Sequence, residues 1–492
     1  MNVVLGLLAL LFAASLALGG PPRFLPPWAA LFLLSLAASA RLWRGERRAG
    51  RDLWESRPGA ALFWLCLTLY LASFRWHGGD DIPNSLLPFA ILRHGTLSFD
   101  PFREWATSPA LRDLIIFTND RLLSFYPVAP GVLAVPLYII PALAGFTPSD
   151  QFLHNMAKIS GALITAASVL VLFRALATRY SRRWAVSAAA LYGLGTFAFS
   201  VSSQALYSHG PAQLGVALGL LGILTPGASW AAASGLGLGL AAISREDSAF
   251  FGLAGAAYFL FHDRKRFWAY ALGAFGPFAL NLAYWRWYGG SFRPPYSSIQ
   301  TGLFSPFDPA AMVAMVISPS RGLLPFMPAV VFGIWGAVKA CKDRSARWAP
   351  YFAAACVSIW IFYGFRWSWT GGTSFGNRYF SVVAMVLAFF VAEAGSEIER
   401  SSALRRAWGW SFAASFLIHA LGAFFTWPGV ALTVQDQVAT LWHLRMHPFA
   451  YLFVAEGPLG GLPLPARVAL ACGFLALSWP LARFIERRSA PL

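Results

Sequence analysis

The sequence is dominated by apolar runs of about 15 to 22 residues that are separated by short arginine-rich segments. Because roughly 20 apolar residues cross about 30 Å of bilayer hydrocarbon as a helix, each run is a candidate membrane span. Only 12% of the residues are charged and the mean hydropathy is +0.56, which excludes an ordinary soluble protein. The sequence therefore predicts an all-α polytopic membrane protein.

The arginines predict the orientation of these spans. The net charge is +17, and the basic residues cluster between apolar runs as in cytoplasmic loops, so we expect no nucleic-acid partner. Apolar runs at 1–19 and 26–40 precede a cluster that extends from Arg41 to Arg51. The first run lacks a basic leader and a good cleavage site, so it is predicted to be a retained span. The next run, 59–75, then emerges outside.

The run at 128–146 allows two topologies. It is apolar enough to span the membrane, but it contains Pro130, Pro136 and Pro141, which interrupt helical hydrogen bonding. A full crossing would place the later basic clusters outside, whereas an interfacial or re-entrant segment keeps them inside, and we predict the second. About 14 spans result, with both termini cytoplasmic. The remaining predicted spans are 155–176, 184–201, 211–225, 229–244, 248–262, 267–285, 323–338, 349–365, 379–395, 408–426 and 466–482.

Three regions follow from this topology. Residues 1–58 form an N-terminal transmembrane hairpin with a basic cytoplasmic loop. Residues 59–395 form the transmembrane core, whose first large external loop, 80–127, is expected to carry interfacial helices. Residues 396–492 form C-terminal spans with an external loop at 427–465. The four cysteines show no paired spacing that would indicate a disulfide framework or a zinc site.

Acidic residues concentrate in the first external loop, which holds six of the 21 in the chain. Solvation and helix capping account for Asp100, Asp113 and Asp120. Asp80 and Asp81 are different, because two adjacent carboxylates at a poorly solvated membrane edge repel each other and favour proton uptake by one of them. Either one is therefore a candidate general base.

Several segments resemble one family. The aspartates after a span are followed by LPFAILRHGTL at 87–97 and FYPVAPG at 125–131, a pattern that resembles the first external loop of GT-C glycosyltransferases. That superfamily includes the protein O-mannosyltransferases and the lipid A aminoarabinose transferases. QALYSHGP at 204–211, ISPSRGLL at 317–324 and GGTSFGNRY at 371–379 resemble segments of bacterial members. The likeness covers residues 59–395 and implies a GT-C-like bundle in a bacterial plasma (inner) membrane.

The resemblance implies a specific reaction. The donor is a sugar on a polyprenyl phosphate, and a first-loop aspartate deprotonates an acceptor hydroxyl. The resulting oxygen attacks the anomeric carbon with inversion, and the lipid phosphate leaves. The base would be Asp80 or Asp81, with Asp80 slightly preferred because it directly follows Gly78 and Gly79. The acceptor is a lipid, a glycan or a protein, and the active site faces the periplasm or another extracytoplasmic space.

Binding residues follow from the chemistry of such a donor. Arginine suits a phosphate because its planar fork donates two parallel hydrogen bonds. The candidate phosphate ligands are Arg378, Arg321 and Arg93, the first two lying in turns that enter spans. Candidate substrate-binding residues are Tyr126, His209, Asn377 and Tyr379. For Arg245, within the segment 244–247, an internal ion pair is the preferred interpretation.

The cofactor is left open, and a divalent metal ion is a candidate. Its possible ligands are Asp80, Asp81, His77 and His209, although no ligand spacing establishes such a site.

The chain also departs from the enzymes that it resembles. The first loop has Phe125-Tyr126-Pro127 where those enzymes have a basic residue or histidine before a Pro-Pro pair. Two spans are predicted to precede the catalytic-loop span, and we expect no large outer C-terminal domain among these residues.

Two other functions are considered. A transporter or flippase of lipid-linked sugars would place ionisable residues within the membrane along interrupted helices. A noncatalytic subunit of an envelope-assembly complex would keep the fold and leave the aspartates without a chemical role.

Overall fold

The structure is a computed structural model that describes residues 25–50, 52–73, 79, 81–107, 111, 114–146, 148–292, 304–372, 374–425, 434–454 and 461–490, without the side chains of 25–30, 474, 475 and 477. The first predicted span, 1–19, lies outside the described residues. So do His77, Asp80 and Asp113, which the sequence analysis singled out.

Helices make up most of the described chain. In chain order they are α1 Leu25–Arg48, α2 Leu53–Ser56, α3 Pro58–Ala72, α4 Asp81–His94, α5 Arg103–Ala106, α6 Ala129–Leu143, α7 Asp150–Ala177, α8 Arg182–Leu194, α9 His209–Leu224, α10 Ala228–Ser244, α11 Ala249–His262, α12 Arg264–Tyr288, α13 Pro309–Ile317, α14 Leu323–Phe326, α15 Val330–Lys342, α16 Ala349–Gly364, α17 Ser381–Phe390, α18 Gly395–Arg400, α19 Ser402–Phe424, α20 Val434–Ala439, α21 Pro448–Phe453 and α22 Leu464–Arg488.

The described residues also form short 3₁₀-helices and a π-helix. The 3₁₀-helices are Asp100–Phe102, Glu246–Ser248, Arg378–Phe380, Val391–Ala394 and Leu444–Met446, and the π-helix is Ala198–Ser202.

The predicted spans from 26 to 482 each coincide with one helix or with consecutive helices. The interval 323–338 is divided into α14 and α15 on either side of Pro328, a residue that cannot continue a helical hydrogen-bond ladder. In the described part of the chain, four helical segments are long and apolar enough to cross a membrane: Asp150–Ala177, Arg378–Arg400, Ser402–Phe424 and Leu464–Arg488. The total of about 14 spans and the three predicted regions stay predictions.

The segment 80–127, predicted to be the first external loop, contains a small hairpin that an all-α prediction did not include. Strands β1 Ile115–Thr118 and β2 Arg121–Ser124 pair antiparallel, with Ile115 opposite Ser124 and Thr118 opposite Arg121. The two turn residues, Asn119 and Asp120, have φ of 51° and 57°, which asparagine and aspartate tolerate better than other side chains. The preceding Ile-Ile-Phe favours a strand, and four residues are too few for a strong sequence signal. The same segment also contains the helices α4 and α5, and their interfacial position stays a prediction.

The chain divides into two compact units. Unit 1 comprises Met1–Ser39, Leu67–Ser168 and Ser202–Phe304, and unit 2 comprises Ala40–Cys66, Val169–Val201 and Ser305–Leu492. In unit 1, α10 packs against both α9 and α12. Gly235 of α10 lies so close to the carbonyl of Tyr270 that a Cβ atom would overlap it. Small residues allow such close packing of membrane helices. The glycine-rich predicted spans 211–225 and 229–244 correspond to α9 and α10.

Unit 2 is built around α17, whose ten residues are all buried. Helix α15 packs against α17 and the 3₁₀-helix Val391–Ala394, while α19 packs against α22. Apolar residues occupy nearly every position of α17, because a helix that is surrounded by protein needs no polar face.

Candidate active site

Asp81 is the first residue of α4, and its carboxylate is buried. Its side chain is 1% exposed, and Oδ2 lies 2.6 Å from Nδ1 of His154 in the first turns of α7. A buried carboxylate requires such a partner, because an isolated charge is costly to remove from water. The structure therefore presents an aspartate–histidine pair at the start of the helix that follows span 59–75.

His154 was not among the residues that the sequence analysis selected. It belongs to α7, a helix that is long and apolar enough to cross a membrane, in which Asn155 and Lys158 are also buried. Polar residues inside a membrane helix commonly mark a functional position. The spacing of His154 and Lys158, four residues apart on one helical face, could have identified this surface from the sequence.

Further contacts fix the start of α4. The Asn84 Nδ2 atom donates to the Leu206 carbonyl at 2.9 Å, and Ser85 Oγ lies 2.6 Å from the Tyr138 hydroxyl. Helix α6 approaches closely at Gly131, where a Cβ would lie 2.8 Å from the Asn84 carbonyl oxygen. Neighbouring elements thus hold the position of the Asp81 side chain, as a preorganised catalytic group requires.

Lys158 connects α7 to the segment that contacts Asn84. Its ammonium group donates to the Ser203 carbonyl at 3.1 Å and to Gln204 Oε1 at 2.9 Å, and its side chain is 1% exposed. A buried ammonium must be hydrogen-bonded to offset its lost hydration. Lys158 therefore fixes the backbone just before Leu206, whose carbonyl receives the Asn84 hydrogen bond.

His209 begins α9 and belongs to a charged cluster. Arg245 Nη2 lies 2.6 Å from Asp247 Oδ2, which confirms the predicted internal ion pair. A second Arg245 nitrogen, Nη1, lies 3.4 Å from His209 Nε2. The imidazole is 1% exposed. This contact directs His209 toward a guanidinium group, and substrate binding by His209 stays a prediction.

Arg93 stands at the end of α4 and contacts the end of α6. Its Nε donates to the Ala142 carbonyl at 3.2 Å, and Nη2 donates to the Phe146 carbonyl at 2.7 Å. The last carbonyl groups of a helix have no intrahelical hydrogen-bond partners, and a basic side chain beside the helix end can donate hydrogen bonds to them. These contacts fix α4 against α6, while phosphate binding by Arg93 stays a prediction.

In unit 2, Arg321 organises a glycine-rich loop. Its side chain is 1% exposed, and Nη1 lies 3.0 to 3.1 Å from the carbonyl oxygens of four loop residues, Thr370, Gly372, Ser374 and Gly376. Burial and the nearby Arg378 lower the pKa of Arg321 to about 9. Because its guanidinium contacts four carbonyl groups of the loop, Arg321 fixes the loop conformation and the position of the residues that follow.

Those residues include Asn377, Arg378 and Tyr379. Asn377 caps the following 3₁₀-helix, since its Oδ1 accepts from Tyr379 N at 3.2 Å, and its Nδ2 donates to the Trp369 carbonyl at 2.9 Å. The Tyr379 ring stacks on Tyr363 with centroids 4.4 Å apart. Arg378 is half-buried. The hydrogen bonds of the Asn377 side chain therefore stabilise the local backbone, and part of the Arg378 side chain is accessible.

The remaining predicted residues lie in unit 1. Tyr126 follows β2, is half-buried, and donates its backbone N–H to Ser124 Oγ at 3.0 Å. Within the described residues, no group of three or more histidine, cysteine, aspartate or glutamate side chains is placed to hold a metal ion. Asp81 and His154 are suitable ligand types, but two ligands fall short of the usual set. A metal ion thus stays a candidate, with His77 and Asp80 outside the described residues.

Comparisons with known proteins give structural likenesses only. No family model and no curated protein sequence matches the chain. The structure is similar to the crystal structure of ArnT from Cupriavidus metallidurans bound to undecaprenyl phosphate, with a TM-score of 0.46 and 16% identity, over 89% of this chain and 73% of that one.

The structure is also similar to the oligosaccharyltransferase of Archaeoglobus fulgidus in its apo form, with a TM-score of 0.42 and 14% identity, over 89% of this chain. The chain spans 57% of that protein's length. A further structure of the same enzyme, with zinc and sulfate, gives a TM-score of 0.44 and 14% identity, over 74% of this chain and 53% of that one. At 14 to 16% identity these likenesses concern the fold alone.

Proposed function

We propose that the chain is an integral-membrane glycosyltransferase that moves a sugar from a polyprenyl-phosphate donor to an acceptor hydroxyl, with inversion. The observation that carries the proposal is the Asp81 carboxylate, 1% exposed and 2.6 Å from His154 at the start of α4. The proposed site faces the outside of a bacterial plasma membrane, and both termini are cytoplasmic. The acceptor is a lipid, a glycan or a protein.

The proposed reaction needs a base for the acceptor hydroxyl. Asp81 takes the hydroxyl proton, and the acceptor oxygen forms a new bond to the anomeric carbon. The bond between that carbon and the donor phosphate oxygen breaks, and the lipid phosphate leaves with the electron pair. His154 orients the carboxylate, in the way that a third group orients a catalytic base. We prefer Asp81 as the base because its carboxylate is buried and oriented by His154, and Asp80 stays the alternative.

The proposed donor ligand in unit 2 is Arg378. Arg378 is half-buried and follows the loop that Arg321 holds through four carbonyl contacts. A guanidinium can donate two parallel hydrogen bonds to a phosphate, which a lysine cannot. In this proposal Arg321 is a positioning residue for the loop, and Arg378 stabilises the leaving phosphate.

The test is transfer of labelled sugar by the purified full-length chain, with a panel of polyprenyl-phosphate sugars. We expect Asp81→Asn to lower turnover by roughly 100-fold or more, the range of general-base catalysis. Glu104→Gln is the matched control, because it neutralises an exposed acid in the same loop. Wild-type turnover in both Asp80→Asn and Asp81→Asn would show that neither carboxylate is the base.

One observation favours a second function, transport of a lipid-linked sugar. His154 and Lys158 are buried within α7, a helix that is long and apolar enough to cross a membrane, and ionisable residues in such helices often mark a transport path. Purified protein in vesicles that moved labelled lipid between leaflets without forming a glycosidic bond would establish this alternative.

A further inference from the structure

A second site lies in unit 2, and it shares no residue with the candidate active site described above. It is a cavity of about 500 Å³ whose lining combines the C-terminal ends of α1 and α22 with the short helix α2. The lining includes three aromatic residues, two arginines and one acid: Trp43, Trp54, Phe484, Arg47, Arg488 and Asp52. None of them has a role in the proposed transfer reaction.

The charge of this lining favours an anion. Arg47 and Arg488 contribute two positive charges, and Asp52 contributes one negative charge. Arg488 Nη2 lies 3.1 Å from Asp52 Oδ2, whereas the Arg47 guanidinium lies over the Trp43 ring at 5.0 Å. Asp52 can balance one guanidinium, so the lining keeps an excess positive charge. Arg488 retains 47% side-chain exposure and can reach a ligand.

The walls of the cavity add an apolar requirement. Trp43 belongs to α1, Trp54 to α2 and Phe484 to α22, and the Arg488 guanidinium lies 5.7 Å from the Phe484 ring centroid. A small hydrated anion gains nothing from aromatic walls. An anion attached to an apolar body fits both parts of the lining, because each part then contacts a group of matching polarity.

The position of the cavity selects a lipid among such ligands. Helix α22 is long and apolar enough to cross a membrane, and Arg488 is its last residue. The end of a span lies at the level of the lipid head groups, where tryptophan and arginine are enriched. Basic pockets between helices at this level bind anionic head groups. We propose that this cavity binds the phosphate of an anionic phospholipid, with its glycerol and upper acyl region against the aromatic walls.

The test is lipid retention by the purified full-length chain, measured by native mass spectrometry after exposure to phosphatidylglycerol or phosphatidylcholine. We expect the double variant Arg47→Gln/Arg488→Gln to retain at least fivefold less phosphatidylglycerol than the parent chain. The matched control is Arg44→Gln/Arg487→Gln, which removes the same charge from the same two helix ends outside the cavity lining. It should retain phosphatidylglycerol like the parent chain, and neither variant should change retention of phosphatidylcholine.

Two further measurements distinguish lipid binding from a folding defect and from a site for a soluble phosphate. Arg47→Lys/Arg488→Lys keeps the charge and the ion pair with Asp52, so retention should recover in it even if the glutamine variant folds poorly. Inorganic phosphate and glycerol 3-phosphate should not displace the lipid; displacement by either at low millimolar concentration would indicate a site for a soluble phosphate. Equal loss in the glutamine variant and its control, or equal retention of both lipids, would overturn the proposal.

Discussion

At the scale of single residues, the aspartate–histidine pair is the feature on which the functional proposal depends. His154 Nδ1 and Asp81 Oδ2 are 2.6 Å apart, and both side chains are almost fully buried. The imidazole restricts the carboxylate to one orientation, which matters because a displacement of about 1 Å can cost roughly 100-fold in rate. His154 is thus a positioning residue in the proposed reaction.

We expect His154→Gln to lower kcat by roughly 100-fold with little change in KM, because the variant misplaces the base without removing a substrate contact. The measurement is steady-state transfer by the purified variant, together with its pH profile. His262→Gln is the control, since His262 is an exposed imidazole at the end of α11. A parallel rise in KM with unchanged kcat would instead place His154 in substrate binding.

Residue-scale inference from the sequence succeeded where a property belongs to one short segment. Arg245 and Asp247 are two residues apart, and their ion pair was predicted. The partner of Asp81 is 73 residues away, so only the fold brings the two together. The same holds for Arg321, whose four carbonyl partners lie 49 to 55 residues further along the chain.

At the scale of elements, the contact of α4 with α6 positions the start of α4. Gly131 lies where a Cβ would be 2.8 Å from the Asn84 carbonyl oxygen and 3.0 Å from the Leu87 side chain. Any larger residue must push the two helices apart. Because Asp81 and Asn84 share the first turn of α4, this displacement also moves the proposed base.

We expect Gly131→Leu to reduce the free energy of unfolding by about 1–3 kcal/mol, the usual cost of overpacking, and to reduce transfer. Unfolding in a detergent–denaturant titration measures the first effect. Gly276→Leu is the control, since a Cβ at that helical glycine meets no atom within 4 Å. If Gly131→Leu matched Gly276→Leu in both stability and transfer, the close contact would have no energetic importance.

In unit 2, the glycine-rich loop depends on one arginine. Gly371, Gly372 and Gly376 have φ of 88°, 68° and 60°, and their loop surrounds the Arg321 guanidinium. A loop of converging carbonyl groups is electrostatically unfavourable without a central cation. The cation and the loop therefore form one unit, which could not be inferred from either segment alone.

We expect Arg321→Ala to reduce the free energy of unfolding by at least about 3 kcal/mol, because several charged hydrogen bonds are lost together. Arg321→Lys should recover part of that loss, since an ammonium keeps the charge but not the planar fork. Arg344→Ala, at an exposed arginine of the same unit, is the control. Equal stability of Arg321→Ala and Arg344→Ala would contradict the structural role of Arg321.

Helix positions could be predicted because hydrophobicity acts at every residue of a span. The predicted interval 155–176 lies within α7, and 408–426 ends two residues beyond the end of α19. The hairpin Ile115–Ser124 escaped prediction because its two strands have four residues each. Its stability also depends on its surroundings, for example on Asp100 Oδ1, which accepts from Leu122 N at 3.2 Å.

At the scale of the whole molecule, the membrane topology depends on α6. This helix has 15 residues and contains Pro136 and Pro141. At 1.5 Å per residue its length is about 22 Å, compared with about 30 Å of hydrocarbon. Helix α3 has the same length and coincides with a predicted span, so the interfacial or re-entrant interpretation of α6 depends on its prolines rather than on its length. The consequence is large, because each later basic loop changes side if α6 crosses fully.

The side of the membrane on which Ser181 lies distinguishes a re-entrant or interfacial α6 from an α6 that crosses fully. This serine is an exposed residue in the basic loop that follows α7, and its side chain makes no capping hydrogen bond to α8. We expect Ser181→Cys to react with a membrane-impermeant maleimide only after the cells are opened, since the loop is predicted to be cytoplasmic. Cys341 and Cys472, the two exposed native cysteines, must first be replaced by serine. Glu104→Cys is the control, because it is exposed in the loop predicted to lie outside, and it should react in intact cells. If Ser181→Cys reacted in intact cells as Glu104→Cys does, α6 would cross the membrane. The orientation of every later span would then be the reverse of the predicted one.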